Sequence, residues 1–259
     1  MPEGLEAEIW RRSIEVLVGR TVTDIWFDAR VCDHGIPALI GQTVEAVTRR
    51  GKVVQVVVGG ETLGLHFGMT GRVIVDGDAP IEALEYSSTR DRPEWDTLRL
   101  YAEPAVGGAA IPALRVNDLR RLGRVSLDAD PSALGVDIFD VSEQTLSAAL
   151  VGRRAAIKSL LLDQSVIAGL GNLCADEVLW WAGIAPTRPV DGLRSSEVGE
   201  LASVIRRRLP IMLRRGGSTT GVVNPDLRRT AGPCPRDGSA LERSTVGGRT
   251  AVWCPDHQQ

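Results

Sequence analysis

Apolar residues near the start of the chain recur with helical spacing. Leu5, Ile9, Ile14, Val16 and Leu17 stand among charges, and Gly19 closes the run. The period then changes to two. Thr21–Phe27, Thr43–Arg49, Lys52–Val58, Thr62–Phe67 and Arg72–Val75 are β-branched runs parted by glycine turns such as Gly59-Gly60 and Gly68. Thr97–Ala102, Leu114–Asn117 and Arg124–Leu127 continue the series after a polar, proline-containing loop over residues 77–95. Between the first two of these, Glu103–Pro112 with its Gly107-Gly108 pair reads as a hairpin excursion. Closely spaced strands joined by turns predict an antiparallel sandwich or barrel.

Asp128–Asp137 has turn chemistry and marks a boundary, after which the pattern becomes helical. Helices are expected at Ser142–Leu150 with Ser142 as N-cap, at Ile157–Leu162, at Ala175–Ala182 stopped by Pro186 and Pro189, and at Ser195–Arg214 kinked or divided at Pro210. Residues 216–233 read as a Gly/Thr/Pro-rich loop, and the remaining 26 as a small β-hairpin. The expected class is α+β: an antiparallel β-sandwich with a flanking helix over residues 1–130, a helical domain over 131–228 and a terminal hairpin unit over 229–259.

Composition narrows this only a little. The 259 residues have ordinary apolar and charged content and suit one large or two modest domains. No apolar run is long enough to span a bilayer, and Glu3, Glu6 and Glu8 argue against a signal peptide. Cys32, Cys174, Cys234 and Cys254 do not make a dense disulfide framework, so a reducing cytoplasm is expected, with Cys32 and Cys174 as ordinary thiols. The net charge of −3 disfavours nucleic acid, but its distribution does not: residues 151–259 hold 15 Lys and Arg against 10 Asp and Glu. A basic face in the C-terminal half is one reading, a solvated helix surface the other.

Three stretches carry candidate chemistry. At the start, Met1-Pro2-Glu3-Gly4 would yield an N-terminal secondary amine if Met1 is removed. An α-amino group is a far weaker base than lysine, so Pro2 can attack a carbonyl carbon, with Glu3 beside it as proton shuttle. In the middle, Gly169-Leu170-Gly171-Asn172 is a glycine turn ahead of a helix, where backbone N–H groups can cradle a phosphate and Asn172 adds a donor. At the end, Cys234-x2-Asp237-x16-Cys254-x2-His257 has paired metal-ligand spacing.

Read together, "MPEG", "LLDQSVIAGLGN" followed by "ADE" and "AGI", and the closing "GGR" hairpin resemble the formamidopyrimidine-DNA glycosylase/endonuclease VIII family, in order and over almost the whole chain. The resemblance implies a helix–two-turn–helix at Ile157–Pro189, a zinc-finger-like terminal hairpin, and double-stranded DNA with damaged bases or abasic sites as partner. Such enzymes flip a damaged base out of the duplex, cut its glycosidic bond through the N-terminal proline and eliminate the flanking phosphates. It implies Pro2 as nucleophile, Glu3 as general acid/base, Glu6 in support, and Lys52 of "RRGKVVQV" on a phosphate near the lesion. In "LHFGMTGR", His66 resembles a phosphate contact and Met69 a residue that fills the void left by the flipped base. In "NDLRRLGR", Arg120 resembles a contact to the opposite base and Leu122 the wedge. Asn172 and Arg249 would pinch the backbone beside the lesion.

Several departures accompany the likeness. Leu119 stands where the family has Pro, and Leu122 where it has Phe. Asp237 and His257 replace two of four zinc cysteines, still an acceptable ligand set for a structural Zn²⁺. The loop from Gly216 is shorter than in enzymes that cap an oxidised purine there. The implied enzyme is a monomeric bifunctional glycosylase and abasic-site lyase with no organic cofactor, its DNA lying between the two domains. The alternative is a damage-binding paralogue with lyase activity only or none. A proline-based tautomerase unrelated to DNA does not account for the length or the Ile157–Pro189 segment.

Overall fold

The computed structural model describes residues 2–82, 84–103, 111–128, 130–230 and 232–259. The chain forms two compact units. One holds Glu6–Pro131 together with Pro2, the other Ser132–Gln259 together with Glu3–Leu5. Most of the Glu103–Pro112 excursion lies outside the described residues.

Helix α1 (Gly4–Ile14) runs into a 3-10 turn at Glu15–Leu17, and Gly19 follows in the left-handed region at φ 88°. The first unit then builds two antiparallel four-stranded sheets. One contains β1 (Thr21–Phe27), β5 (Arg72–Val75), β6 (Asp96–Glu103) and β7 (Leu114–Asn117) in the order β1-β6-β7-β5. The other contains β2 (Val44–Arg50), β3 (Val53–Val58), β4 (Glu61–His66) and β8 (Arg124–Leu127) in sequence order. Along β3, Val54, Val56 and Val58 are fully buried while their neighbours are half-buried, as the two-residue repeat requires. Val22, Leu98, Leu100, Val73 and Val116 of one sheet share a single core with Val47, Val56, Leu63 and Leu65 of the other. This common core makes the unit a sandwich. Trp10 of α1 joins it, its ring 4.2 Å from that of Phe67.

In the second unit, α2 (Glu143–Leu150), α3 (Ile157–Leu162), α4 (Asn172–Ala182), α5 (Ser195–Arg215) and α6 (Pro225–Thr230) are joined by a short parallel pair, β9 (Val136–Asp137) with β10 (Ile167–Ala168). The hairpin of β11 (Glu242–Val246) and β12 (Arg249–Trp253) completes it. Residues Leu173 to Trp180 of α4 are all buried, a helix covered all round. Burying each of its large aliphatic side chains contributes about 1.5–3 kcal/mol.

Three local expectations need correction. Gly183, at φ 68°, ends α4 through a left-handed cap ahead of Pro186 and Pro189. Helix α5 is not divided at Pro210 but runs through it as one element; the carbonyl deprived of a donor belongs to exposed Arg206, where water can serve it. Within the supposed loop after Gly216 lies α6, whose first turn Asn224 caps by accepting the Leu227 N–H at 2.9 Å. No helix among the described residues is long and apolar enough to cross a membrane.

Candidate functional site

Glu3 belongs to the second unit, and its seat is the start of α4. Its Oε2 accepts the N–H groups of Gly171 at 2.8 Å and Cys174 at 3.1 Å, and its Oε1 that of Leu173 at 2.8 Å. Orphan donors at a helix start and the local dipole both favour an anion there. A Cβ at 171 would lie 2.4 Å from the Glu3 carboxyl carbon, so any side chain there must displace the carboxylate. The next residue is secured too, because the Gly4 N–H donates to the Gly169 carbonyl at 2.8 Å. Residue 3 is thus fastened to the glycine turn. Asn172 opens the same helix with its carboxamide oxygen buried and unpartnered by any described residue. A buried polar atom of that kind calls for a water or ligand contact.

Within the first unit, Pro2 and Glu6 are buried. Lys52 precedes β3, whose first residue, Val53, pairs with His66 on β4. Desolvation and then the Lys52 ammonium hold His66 below the usual imidazole value. Its Nδ1 accepts the Gly68 N–H at 3.4 Å, so the neutral ring carries its proton on Nε2 and offers it outward. Met69, Arg120 and Leu122 are brought together by two loops in close contact. A Cβ on Gly68 would sit 2.4 Å from the Leu122 carbonyl carbon, and an Arg120 guanidinium nitrogen lies 4.0 Å from the Met69 sulfur. Leu119 and Leu122 are 41% and 47% exposed and so open to an apolar contact.

Sequence reasoning missed what holds this pair of loops. Asp118 is fully buried, and its carboxylate accepts the Thr70 hydroxyl, the Arg120 N–H at 3.2 Å and the Gly123 N–H at 2.8 Å. Arg121 takes a left-handed conformation at φ 51° and turns its side chain away, onto Asp28 at 2.8 Å and the Glu94 carbonyl at 3.0 Å. Hydrogen bonds from Arg30 and then from Arg121 hold the Asp28 carboxyl far below the usual range. The signal was present in "NDLRRLGR", where an acid precedes residues whose backbone must be pinned.

The terminal hairpin turns through Gly247 at φ 58° and Gly248 at φ 71°, the two left-handed positions of a tight hairpin. Arg249 follows with its side chain exposed. Behind the hairpin, Cys234, Asp237, Cys254 and His257 place one ligand atom each within 4.8 Å of the others. The Cys234 sulfur lies 3.6 Å from His257 Nδ1, the Cys254 sulfur 3.4 Å from Asp237 Oδ2, and that oxygen 3.0 Å from His257 Nδ1. Donors on a tetrahedral zinc stand roughly 3.3–3.8 Å apart. His257 Nε2 is 3.2 Å from the Trp180 carbonyl; a proton held there leaves the Nδ1 lone pair for a metal. The Ser239 hydroxyl and N–H keep Asp237 ionised well below the usual range, whereas burial pushes the Cys234 thiol up. The four residues fit a divalent ion.

Comparison with known proteins bears on the whole chain. Residues 1–125 match the formamidopyrimidine-DNA glycosylase N-terminal domain, and residues 134–224 the formamidopyrimidine-DNA glycosylase H2TH domain. A formamidopyrimidine-DNA glycosylase of Stenotrophomonas maltophilia is 31% identical over 100% of both chains. One from a Roseiflexus species is 36% identical over 88% of this chain and 85% of its own. Among solved structures, Lactococcus lactis Fpg bound to DNA containing N7-benzyl-Fapy-dG superposes with a TM-score of 0.82 at 27% identity, covering 100% of both chains. The same enzyme bound to DNA with an abasic site gives 0.81 at 26% identity over 99% of each. With both of its units matched in order and a full-length relative above 30% identity, the chain belongs to the formamidopyrimidine-DNA glycosylase family.

Proposed function

We propose that the protein is a DNA glycosylase that removes damaged bases from duplex DNA and then cuts the strand as an abasic-site lyase, acting as a monomer in the cytoplasm. The observation that carries this reading is the seat of Glu3, a carboxylate held by three backbone N–H groups next to Pro2. The lyase chemistry requires Met1 to be absent. The Pro2 nitrogen attacks C1′ of the flipped nucleotide, and the bond from C1′ to the base breaks, the base leaving with a proton. Opening of the sugar ring gives an iminium between Pro2 and C1′. Loss of a C2′ proton then expels the 3′ phosphate, and a second elimination expels the 5′ phosphate. Glu3 moves the proton at the sugar, and buried Glu6 supports the site.

Lys52, His66, Asn172 and Arg249 take phosphates, which position the duplex without reading it. Met69, Arg120 and Leu122 enter the space the base vacates. Cys234, Asp237, Cys254 and His257 hold a structural zinc, which supplies rigidity to the hairpin and no reacting group.

Borohydride reduction in the presence of an abasic duplex tests the reading. The Met-processed protein should give a covalent adduct that Pro2→Gly abolishes, and Glu3→Gln should form it more slowly. Absence of the adduct in the processed parent would refute the lyase step. A panel of duplexes with oxidised purines, oxidised pyrimidines and plain abasic sites then assigns the lesion; cleavage of the abasic duplex alone would reduce the activity to that of a lyase.

A further inference from the structure

Inside the second unit, behind the hairpin, is a buried charge cluster that none of the roles above uses. Asp176 and Lys158 are fully buried, and Arg228 is 9% exposed. The Lys158 ammonium lies 2.6 Å from Asp176 Oδ1, and the Arg228 guanidinium pairs with Asp176 Oδ2. Both cations also donate to one backbone oxygen, the carbonyl of Thr250, each at 2.9 Å. Asp176 Oδ2 further accepts the N–H of Val252 at 3.1 Å. Three side chains from α3, α4 and α6 therefore converge on two backbone groups of β12, the Thr250 carbonyl and the Val252 N–H two residues on. Arg249 is the residue immediately before Thr250.

The strand pairing of the hairpin does not account for these contacts. Burying two cations against one carboxylate is a poor way to gain stability, since desolvation opposes the attraction. What such a cluster supplies is geometry, because two fixed donors on one carbonyl leave β12 a single height and tilt. The turn at Gly247 also packs closely against α3, where a Cβ would lie 3.0 Å from the Ser159 hydroxyl.

We propose that Asp176, with Lys158 and Arg228 on its two oxygens, is a positioning device that sets the placement of Arg249 toward the DNA backbone. This rests on the reading that Arg249 contacts a phosphate. The three residues touch no DNA themselves; they act through the Thr250 carbonyl.

Equilibrium binding of a duplex carrying a tetrahydrofuran abasic analogue, measured from 50 to 200 mM salt, tests the device, with amide exchange at residues 250–252 as a second readout. Arg249→Ala should weaken binding and lower the slope of log affinity against log salt by about 0.9, the loss of one phosphate contact. Arg228→Met should weaken binding about 10-fold, lower the slope by the same ~0.9, and add nothing further when combined with Arg249→Ala. It should also speed exchange at residues 250–252 and spare the rest of α4. Binding like the parent, or losses that multiply in the double variant, would overturn the proposal. If Arg249→Ala binds like the parent, the phosphate contact is wrong; unchanged exchange in Arg228→Met would then overturn the device, and faster exchange would support its hold on β12. Should Arg228→Met not fold, Lys158→Met/Asp176→Leu/Arg228→Met removes the whole cluster, leaves no unpaired buried charge, and should melt closer to the parent than Arg228→Met while binding like Arg249→Ala. Parent-like binding by that variant would equally overturn it.

Discussion

Replacing Gly171 by alanine isolates the seat of Glu3 from everything else in the chain. The backbone at 171 is extended, with φ −122° and ψ −164°, so alanine meets no conformational obstacle. The obstacle is the carboxyl carbon of Glu3, 2.4 Å from the new Cβ. Ordinary carbon contacts begin near 3.5 Å, so the carboxylate must retreat by about 1 Å. Its hydrogen bonds of 2.8, 2.8 and 3.1 Å would then stretch beyond bonding range for at least two of the three donors. Hydrogen bonds to a charged group contribute about 1.5–3 kcal/mol each, and water reaching the displaced carboxylate restores part, giving a net loss of ~3 kcal/mol. For a chain of this size that lowers the melting temperature by roughly 6–12 °C. A 1 Å error beside the proposed nucleophile, Pro2, should slow adduct formation about 100-fold. Differential scanning calorimetry and single-turnover borohydride trapping measure the two effects. Gly192→Ala is the control, because a Cβ there meets nothing within 4 Å. Parent-like melting and trapping in Gly171→Ala would refute both the steric argument and the importance of the seat.

Three further outcomes follow from the geometry. Elemental analysis should find one zinc per chain, and Cys234→Ser should lose it with increased exchange in the terminal hairpin; a metal-free parent would remove zinc from the proposal. Burial pushes the Cys32 thiol up to about 12, and its sulfur donates to the Thr97 carbonyl at 3.1 Å, so iodoacetamide at pH 8 should spare Cys32 until the protein is denatured. Hydrogen bonds from Arg194 and Arg188 hold Glu197 down to about 2 against an ordinary 4.5. A depressed folded-state value stabilises above the unfolded one, so this small contribution is full above pH ~4.5 and disappears as pH falls toward 2. Glu197→Gln should flatten the melting temperature across that window, and an unchanged slope would discount the pair.

Local chemistry made much of this fold legible. Alternation in β3 and the glycine turns around it place the strands, and Ser142 caps α2 through the Thr145 N–H as its residue type suggests. The spacing of Cys234, Asp237, Cys254 and His257 likewise predicts a cluster that the fold brings together. Helix α6 was also written locally, in Asn224-Pro225-Asp226: a cap, a proline suited to the first turn and an early acid. Its neighbouring glycines and threonines obscured that signal. Contacts over long sequence separations were not legible. Nothing near Glu3 announces that its partners lie at Gly171, Leu173 and Cys174, and nothing in "PDLRRT" shows that Arg228 is buried against Asp176 while Arg229 is exposed.

Helix α4 carries an implication for how the family can vary. Its first turn receives Glu3, Asp176 reaches β12, Glu177 accepts the Val223 N–H at 2.8 Å, and the Trp180 carbonyl meets His257. These appointments share one axis, so their relative phase is set by counting residues. Inserting a single residue between Cys174 and Asp176 would turn everything downstream by about 100° and advance it by ~1.5 Å. Glu3 would keep its seat while the hairpin, the loop at Val223 and the candidate metal ligand His257 all lost their partners at once. Substitutions along this stretch can be absorbed one contact at a time, but a change in its length cannot. Length differences among relatives should therefore fall outside residues 171–180.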